Sequence, residues 1–241
     1  MRTALLTHGN GPKSVAAYRS LREHSDLAAV VFSGRRRQRR SLSERFQRYG
    51  GWYAGQVAAG RVWTKVRRLR IPHAELRANG IDTESWKTPR DDARVAAWLK
   101  EREVEVVFVA GFNFLLKRDF LESFPIVLNI HSSLLPEYRG PRPVLWGLLN
   151  GERTFGSTVH HIDEGIDTGD IVAQVSVPRP WVPLEIAVEH RLAQRVPDAV
   201  KSVLDHLAKG TLPRTKQNGG SYYPEPTLEH RSRGGVAVRA D

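Results

Sequence analysis

The chain has 241 residues, 40% of them apolar, and a formal net charge of +11 at pH 7. No apolar run reaches the roughly 18 residues that a membrane-spanning helix needs, and the apolar part of the opening segment is too short for a secretory signal. The sequence has no cysteine, which excludes disulfides, thiolate catalysis and sulfur-rich zinc sites. We therefore expect a cytoplasmic protein with one substantial core, built as one domain with an appendage or as two small domains.

Short, β-branched apolar runs alternate along the chain with segments of helical pattern. The predicted strands are Arg2–Thr7, Asp26–Ser33, Val104–Ala110, Ile126–His131, Ser157–Ile162 and Ile171–Val177. The clearest predicted helices are Lys13–Glu23, Asp91–Glu101 and Leu184–Lys209, and Pro197 should kink or divide the last of them. Nearly continuous apolar strands separated by helices predict an α/β fold, with a Rossmann-like, doubly wound and mostly parallel sheet.

The positive charge is concentrated in one segment, 34–70, which holds twelve Lys and Arg residues against the single acid Glu44. The same segment carries Phe46, Tyr49, Trp52, Tyr53 and Trp63, and Gly50-Gly51 divides it. We predict a basic helical insertion of two pieces beside the sheet. Two hypotheses for it stay open: a solvated helical face over packed aromatic rings, or a patch that attracts an anionic small molecule or an anionic part of one.

The end of the chain has a different composition. From Lys216 onward it contains the sequences GG, PEP and RSRGG, which are typical of an extended, partly disordered strap. We therefore divide the chain into a main domain, 1–215, which includes the 34–70 insertion, and a C-terminal extension, 216–241.

Polar residues with complementary chemistry follow the central strands. Ligands bind beyond the carboxyl ends of strands in open parallel sheets. Asn129 and His131 close one predicted strand and point the same way, while Asp167 lies between two glycines after the next strand. Taken singly, these residues could be a strand-end cap, a structural histidine and a turn residue.

Together the three side chains suit acyl transfer without a covalent nucleophile. An amide and a protonated imidazole can donate hydrogen bonds to the oxygen that becomes negative when an amine attacks a carbonyl carbon. A carboxylate that holds the imidazole, or a water between them, can carry the protons that move between the two nitrogens.

The block NIHSSLLPEYRG, followed by HHIDEGIDTGDIVAQ, resembles the catalytic core of the folate-dependent formyltransferases. That family includes glycinamide ribonucleotide, methionyl-tRNA and sugar N-formyltransferases, and the resemblance is strongest over 104–177. It implies catalytic roles for Asn129, His131 and Asp167, with 10-formyltetrahydrofolate as the donor. The adjacent His160 and His161 should face opposite sides, so that at least one is structural, and nothing in the sequence completes a metal site around them. We therefore expect no metal. Position 132 is Ser where many members carry Pro or Ala, a variation that we regard as tolerated.

The resemblance also implies binding residues. Two loops would hold the donor's pterin: one is Gly111, Phe112, Asn113, Phe114, Leu115 and Leu116, and the other contains Glu164, Gly165 and Ile166. For the acceptor we assign Ser132, Arg139 and Gly140, together with Gly9 and Asn10 in the turn after the first strand. That turn lacks the third glycine of a dinucleotide fingerprint. It could hold an anion at a helix N-terminus or be a plain tight turn.

The acceptor is predicted from the segment that follows the central motif. Residues 140–151, GPRPVLWGLLNG, look more like sugar N-formyltransferases than like glycinamide ribonucleotide enzymes. The methionyl-tRNA enzymes carry a second, barrel-like domain, whereas only about thirty residues follow the last predicted helix here. We expect a small-molecule amine that is anionic or nucleotide-linked, most simply an amino sugar. The alternative is the amine of an amino acid or a natural-product intermediate.

Two other hypotheses come from outside this class. One is a nucleic-acid-binding module that uses the basic, aromatic segment 34–70, which the near-neutral remainder of the chain argues against. The other is a family member that binds folate without transferring a group. The presence of all three residues Asn129, His131 and Asp167, hereafter the trio, argues against it. We expect no nucleic acid partner and no membrane association, and the sequence leaves a homodimer open.

Overall fold

A computed structural model describes residues 1–34 and 69–226, together with positions 55, 58, 60, 62, 63 and 65–67. In this part of the chain seven strands form a single sheet: β1 (Arg2–Thr7), β2 (Asp26–Ser33), β3 (Asp82–Trp86), β4 (Val106–Ala110), β5 (Ile126–His131), β6 (Thr154–His161) and β7 (Ile171–Pro178). The helices are α1 (Pro12–His24), α2 (His73–Ala78), α3 (Asp92–Lys100), α4 (Arg118–Leu121), α5 (Pro143–Leu149) and α6 (Glu185–Ala208).

The strand order is β3-β2-β1-β4-β5-β6-β7. The strands from β3 to β5 are parallel to one another, whereas β6 runs antiparallel to β5 and β7 antiparallel to β6. The chain thus winds outward in both directions from β1 and β4 before it closes with a hairpin. The prediction of a mostly parallel α/β sheet is confirmed.

Each face of the sheet is covered by helices, as the apolar strands predict. Leu5 and Val30 lie in a cluster with Tyr18 of α1 and Val200 of α6. Neighbouring residues in a strand point to opposite faces, and Leu6 accordingly packs in a second cluster with α3 and α4 residues. Burial on both faces fixes the strand register, because a slip of one residue would exchange the two faces.

Two elements that differ from the prediction are a strand with a polar sequence and a helix that contains proline. Strand β3 was not predicted because its sequence, DTESW, is polar, and four of its five residues keep some exposure at the sheet edge. Helix α6 continues through Pro197, so the alternative that proline divides it is wrong. Val196 and Val200 on either side of Pro197 lie in the same buried cluster, and this packing outweighs one lost backbone hydrogen bond.

Most of the predicted basic insertion, including Phe46, Tyr49, Trp52 and Tyr53, lies outside the described residues. The described positions from 55 to 66 are helical. The Trp63 ring makes an edge contact with His190 of α6, with ring centroids 5.7 Å apart. This part of the insertion therefore packs beside α6.

Candidate active site

Strand β5 directs Asn129 and His131 to the same side because they are two residues apart. Strand β6 runs antiparallel to β5, with His160 opposite Asn129, so the two strands do not end at the same edge. The connection 162–170 nevertheless brings Asp167 to Asn129, whose Nδ2 lies 3.2 Å from Asp167 Oδ1. The three residues predicted from the sequence therefore meet, although by a different route from neighbouring parallel strand ends.

The backbone of the 162–170 connection is tightly constrained. A Cβ atom on Gly169 would lie 2.0 Å from the carbonyl oxygen of His161, so a side chain cannot be accommodated there. Asp167 itself adopts a left-handed conformation with φ 55°, which costs a non-glycine residue about 1 kcal/mol or more. Such strain persists only where surrounding contacts fix the backbone, and it often marks functional sites.

Asn129 joins two other polar side chains in a hydrogen-bonded set. Its Nδ2 lies 3.1 Å from His160 Nε2 as well as 3.2 Å from Asp167 Oδ1. His160 Nδ1 lies 2.7 Å from the carbonyl oxygen of His161 and donates to it, which leaves Nε2 to accept from Asn129. Both amide hydrogens of Asn129 are thus engaged, and its orientation is set.

The buried imidazole of His131 is held at both nitrogens. Nε2 donates to the carbonyl oxygen of Tyr138 at 2.9 Å, and Tyr138 is another left-handed residue, with φ 60°. Nδ1 faces Asp167 Oδ2 at 3.5 Å. Burial lowers the pKa of His131 to about 4, although Asp167 and the Tyr138 carbonyl oppose the shift. The ring is neutral at pH 7, and Nδ1 is the nitrogen that can accept a proton.

Asp167 is ionised in this site. Burial alone would raise the pKa of its carboxyl group, but the charge that His131 carries when protonated and the Gly140 backbone amide hold that pKa well below its usual range. The Gly140 N–H donates to Oδ2 at 2.9 Å. A proton placed on His131 Nδ1 would therefore lie beside a carboxylate that stabilises it.

The trio lines a cavity of about 550 Å³. One group of lining residues is apolar or glycine and comes from the loop after β4 and from the 162–170 connection: Gly111, Phe112, Phe114, Leu115, Leu116, Ile162, Gly165 and Ile166. Another group is charged and comes from α1, α6 and the start of α5: Lys13, Arg142, Glu185 and Glu189. The cavity thus offers an apolar slot and a charged region next to the same three side chains.

Two of the predicted donor-binding residues do not line this cavity. Asn113 is turned toward β2, where its Nδ2 donates to Ser33 Oγ at 3.1 Å. Glu164 forms an ion pair with Arg118 at 2.6 Å, and both side chains are largely exposed. Both positions sit within the predicted loops, but their side chains hold those loops to neighbouring elements.

Only some of the predicted acceptor-binding residues line the cavity. Ser132 and Gly140 line the cavity, whereas Arg139 donates from Nε to Gln217 Oε1 at 3.0 Å. Gly9 and Asn10 lie in a turn that pairs with residues 69–71, with Ile71 N donating to Gly9 O at 3.0 Å. The structure does not bring Arg139, Gly9 or Asn10 to the cavity.

Sequence reasoning missed Gln217, which lies in the predicted C-terminal extension. Its Nε2 donates to the carbonyl oxygens of Asp167 at 3.0 Å and Gly169 at 2.7 Å. Farther along, the Tyr223 ring stacks on Tyr138, with centroids 5.0 Å apart. The segment 215–226 therefore contacts both loops that orient His131 and Asp167. Its low apolar content gave no signal of these contacts.

His160 and Glu189 were also missed as parts of the site. The sequence allowed at least one of His160 and His161 to be structural, and the structure separates them. His160 contacts Asn129 and Asp167, whereas the His161 ring contacts Arg214. Glu189 could not be predicted because only the packing of α6 against the sheet places it at the cavity.

No helix within the described residues is long and apolar enough to cross a membrane. Among the same residues, no three or more His, Asp or Glu side chains group in a way that could hold a metal ion. The absence of a metal from the mechanism stays a prediction.

Comparison with known proteins agrees with this geometry. Residues 56–204 match the model of the family described as formyl transferase. The methionyl-tRNA formyltransferase of Pelotomaculum thermopropionicum is 34% identical over 137 residues, which cover 56% of this chain and 44% of the relative. That of Akkermansia muciniphila is 27% identical over 210 residues, which cover 87% of this chain and 59% of the relative. The chain thus spans about half the length of the curated relatives it matches.

Solved structures show the same fold. Glycinamide ribonucleotide transformylase 1 from Symbiobacterium toebii superposes with a TM-score of 0.66 at 23% identity, over 90% of this chain and 93% of that one. HypX from Aquifex aeolicus superposes with a TM-score of 0.61 at 16% identity, over 95% of this chain and 30% of that one. The fold and the sequence match define a formyl transferase domain. The chain belongs to the formyl transferase family.

Proposed function

We propose that this chain is an N-formyltransferase that moves a formyl group from 10-formyltetrahydrofolate to a primary amine of a small molecule. The observation that carries the proposal is the convergence of Asn129, His131 and Asp167 at one cavity, with Asp167 3.5 Å from His131 Nδ1. An enzyme of this kind needs a group that moves a proton between two nitrogens beside a reacting carbonyl.

The apolar part of the cavity suits the donor. Phe112, Phe114 and Leu116 offer flat or apolar surfaces to a pterin ring, and Gly111 and Gly165 leave backbone exposed beside them. Gly111 is left-handed, and a Cβ there would lie 3.2 Å from the His8 ring, so a side chain would press on the neighbouring loop. When bound, the donor supplies a formyl group on a nitrogen that departs as a neutral amine.

His131 has the geometry of a proton carrier for this reaction. Its neutral ring keeps Nε2 bonded to the Tyr138 carbonyl and leaves Nδ1 to accept a proton from the attacking nitrogen. Asp167 stabilises the resulting positive charge. The same proton can then pass from Nδ1 to the departing nitrogen, so that a single group serves as base and then as acid.

Asn129 can stabilise charge on the formyl oxygen. Its Nδ2 hydrogens are shared with His160 and Asp167, and one of them would have to turn toward the cavity as negative charge develops. An amide donor in such a position contributes a factor of about 10²–10³ in acyl-transfer enzymes. The bond that remains, to His160 or to Asp167, would keep the amide oriented for that donation.

We propose a nucleotide-linked amino sugar as the acceptor, with the amine of an amino acid or natural-product intermediate as the alternative. Support for an anionic acceptor comes from Lys13 at the cavity, whereas Arg142, which also lines it, is paired with Glu185. The relatives named above act, by their names, on methionyl-tRNA and on glycinamide ribonucleotide, so the family uses different amines. We further propose that 1–215 is the catalytic domain and 216–241 an extension, and cytoplasmic location stays a prediction.

A panel of amines tests this function. The chain is incubated with 10-formyltetrahydrofolate and nucleotide-linked amino sugars, free amino sugars, amino acids, glycinamide ribonucleotide or methionyl-tRNA, and products are detected by the added mass of a formyl group. We expect one class to be formylated at a rate that depends on enzyme concentration. Donor binding without formylation of any amine would contradict the proposal and favour a folate-binding protein without transferase activity.

A further inference from the structure

Glu189 differs from the other acids at the cavity in the partner that its carboxyl group meets. The acids that line it within the described residues are Asp163, Asp167, Glu185 and Glu189. Asp163 accepts bonds from its own turn, from Gly165 N at 3.1 Å and Thr168 Oγ1 at 2.6 Å. Asp167 belongs to the trio.

The last two acids lie one helical turn apart on α6, so both project from the same face. Glu185 forms an ion pair with Arg142. The Glu189 carboxyl group instead lies by a neutral side chain, that of Ser132, which lines the same cavity and favours the carboxylate. Ser132 directly follows His131 in the chain, so Glu189 is one side chain away from the trio.

The charges around Glu189 come from three elements. Lys13 at the start of α1 and Arg142 before α5 favour its carboxylate, while Glu185 on its own helix disfavours it. Burial, followed by the effect of Glu185, raises the pKa of Glu189 above its ordinary value. The group is thus a stronger base than an exposed glutamate and still faces the space where an acceptor must enter.

The proposed reaction needs such a base. The amines proposed as acceptors have pKa values between about 8, as for an α-amino group, and about 10, as for a lysine side chain, so each is mostly an ammonium ion at pH 7. An ammonium ion has no lone pair with which to attack a carbonyl carbon. Formylation of an ammonium ion yields a neutral amide and a neutral departing amine, and therefore releases one proton to solvent. His131 returns its proton to the departing nitrogen, so a different group must remove the first one.

We propose that Glu189 binds the protonated amine of the acceptor and removes its first proton, which makes the acceptor a basic aliphatic primary amine. This inference rests on the proposed function and names the acceptor's chemical class. In the step, one N–H bond of the ammonium breaks, its electron pair stays on nitrogen, and the proton forms an O–H bond with the Glu189 carboxylate. After transfer, Glu189 loses that proton to solvent and is ready for the next acceptor.

The pH dependence of a Glu189→Gln variant tests the proposal. Glucosamine, its UDP-linked form and methionine serve as acceptors, with 10-formyltetrahydrofolate as the donor. Loss of a general base costs about 10²–10⁴-fold in rate, and we expect a loss in kcat/KM of this order at pH 7. The variant depends on amine that is already neutral, so its deficit relative to the unchanged chain should shrink about tenfold per pH unit up to the pKa of the acceptor.

Glu185→Gln is the matched control, since it removes a carboxylate from the same helix and cavity. Its loss should be the same factor at every pH. Glu189→Asp keeps a carboxylate and should retain the pH profile of the unchanged chain. A loss in Glu189→Gln that stays constant with pH, or no loss at all, would overturn the proposal.

An acceptor with a weakly basic amine gives a second measurement. In a glucosamine analogue fluorinated beside the nitrogen, so that its amine is neutral at pH 7, Glu189 has no proton to remove. With this analogue, kcat/KM of the unchanged chain and of Glu189→Asp should differ by less than twofold. With glucosamine, the two values should differ by more than that. If the ratio of kcat/KM between the unchanged chain and Glu189→Asp were the same for both acceptors, the proposal would be overturned even if Glu189→Gln failed to fold. Failure of the unchanged chain to formylate any acceptor would instead contradict the proposed function itself.

Discussion

Replacement of Asp167 by asparagine tests the electrostatic core of the mechanism. The side chain keeps its shape and loses its charge, which faces His131 Nδ1 at 3.5 Å. At an effective dielectric constant of about 20, two unit charges at that separation attract by about 5 kcal/mol. About four-fifths of this attraction would stabilise the protonated imidazole in the transition state and would be lost in the variant. The rate should then fall by roughly 10³-fold, because each 1.4 kcal/mol is a factor of ten.

The assay is a single-turnover measurement of formyl transfer at saturating donor and acceptor. Asp163→Asn is the control, because Asp163 lines the same cavity but accepts bonds from its own turn. It should cost less than tenfold. The double variant with His131→Ala should be no slower than His131→Ala alone, since residues that act as a unit are not additive. A loss below tenfold in Asp167→Asn, with donor binding unchanged, would refute the role of this carboxylate.

Three further predictions concern the surroundings of the trio. Gln217→Leu removes both bonds to the Asp167 loop and should lower kcat about tenfold at nearly unchanged acceptor KM; unchanged kcat would assign Gln217 a purely structural role. Gly140→Ala places a Cβ 2.4 Å from the Tyr223 carbonyl oxygen at φ +95°. Urea unfolding should show a loss of about 2–4 kcal/mol, and a loss below 1 kcal/mol would contradict the close contact. His131 has a pKa near 4 in the folded chain, so its ring is protonated at a lower pH there than in the unfolded chain. The free energy of unfolding should therefore fall as pH drops from 6.5 toward 4, by at most about 1.4 kcal/mol per pH unit, and His131→Gln should flatten this slope.

The sheet was predictable because its strands carry a strong local signal. β1, β2 and β5 have the predicted bounds, since buried strands are nearly continuous apolar runs. The edge strand β3 gave no such signal because its sequence is polar and partly exposed. The direction of β6 relative to β5 is a long-range property, and a connection of the length found between them is compatible with either direction.

The trio was predictable because a short, continuous block of sequence encodes it. Asn129 and His131 share a strand, and Asp167 lies in a turn whose glycines have clear backbone roles. Gln217 and Glu189 could not be predicted in the same way, because they reach the cavity from segments far away in the sequence. Arg139 lies within the block NIHSSLLPEYRG and was predicted to bind the acceptor, but its side chain donates to Gln217 instead.

The most direct test of the central claim is formyl transfer by His131→Ala beside His161→Ala. The two histidines are both buried, but the ring of His131 lies at the cavity and that of His161 contacts Arg214. With 10-formyltetrahydrofolate and the best acceptor of the panel, we predict that His131→Ala binds donor and forms no product above background, while His161→Ala keeps at least a tenth of the rate. Normal turnover by His131→Ala would contradict the account.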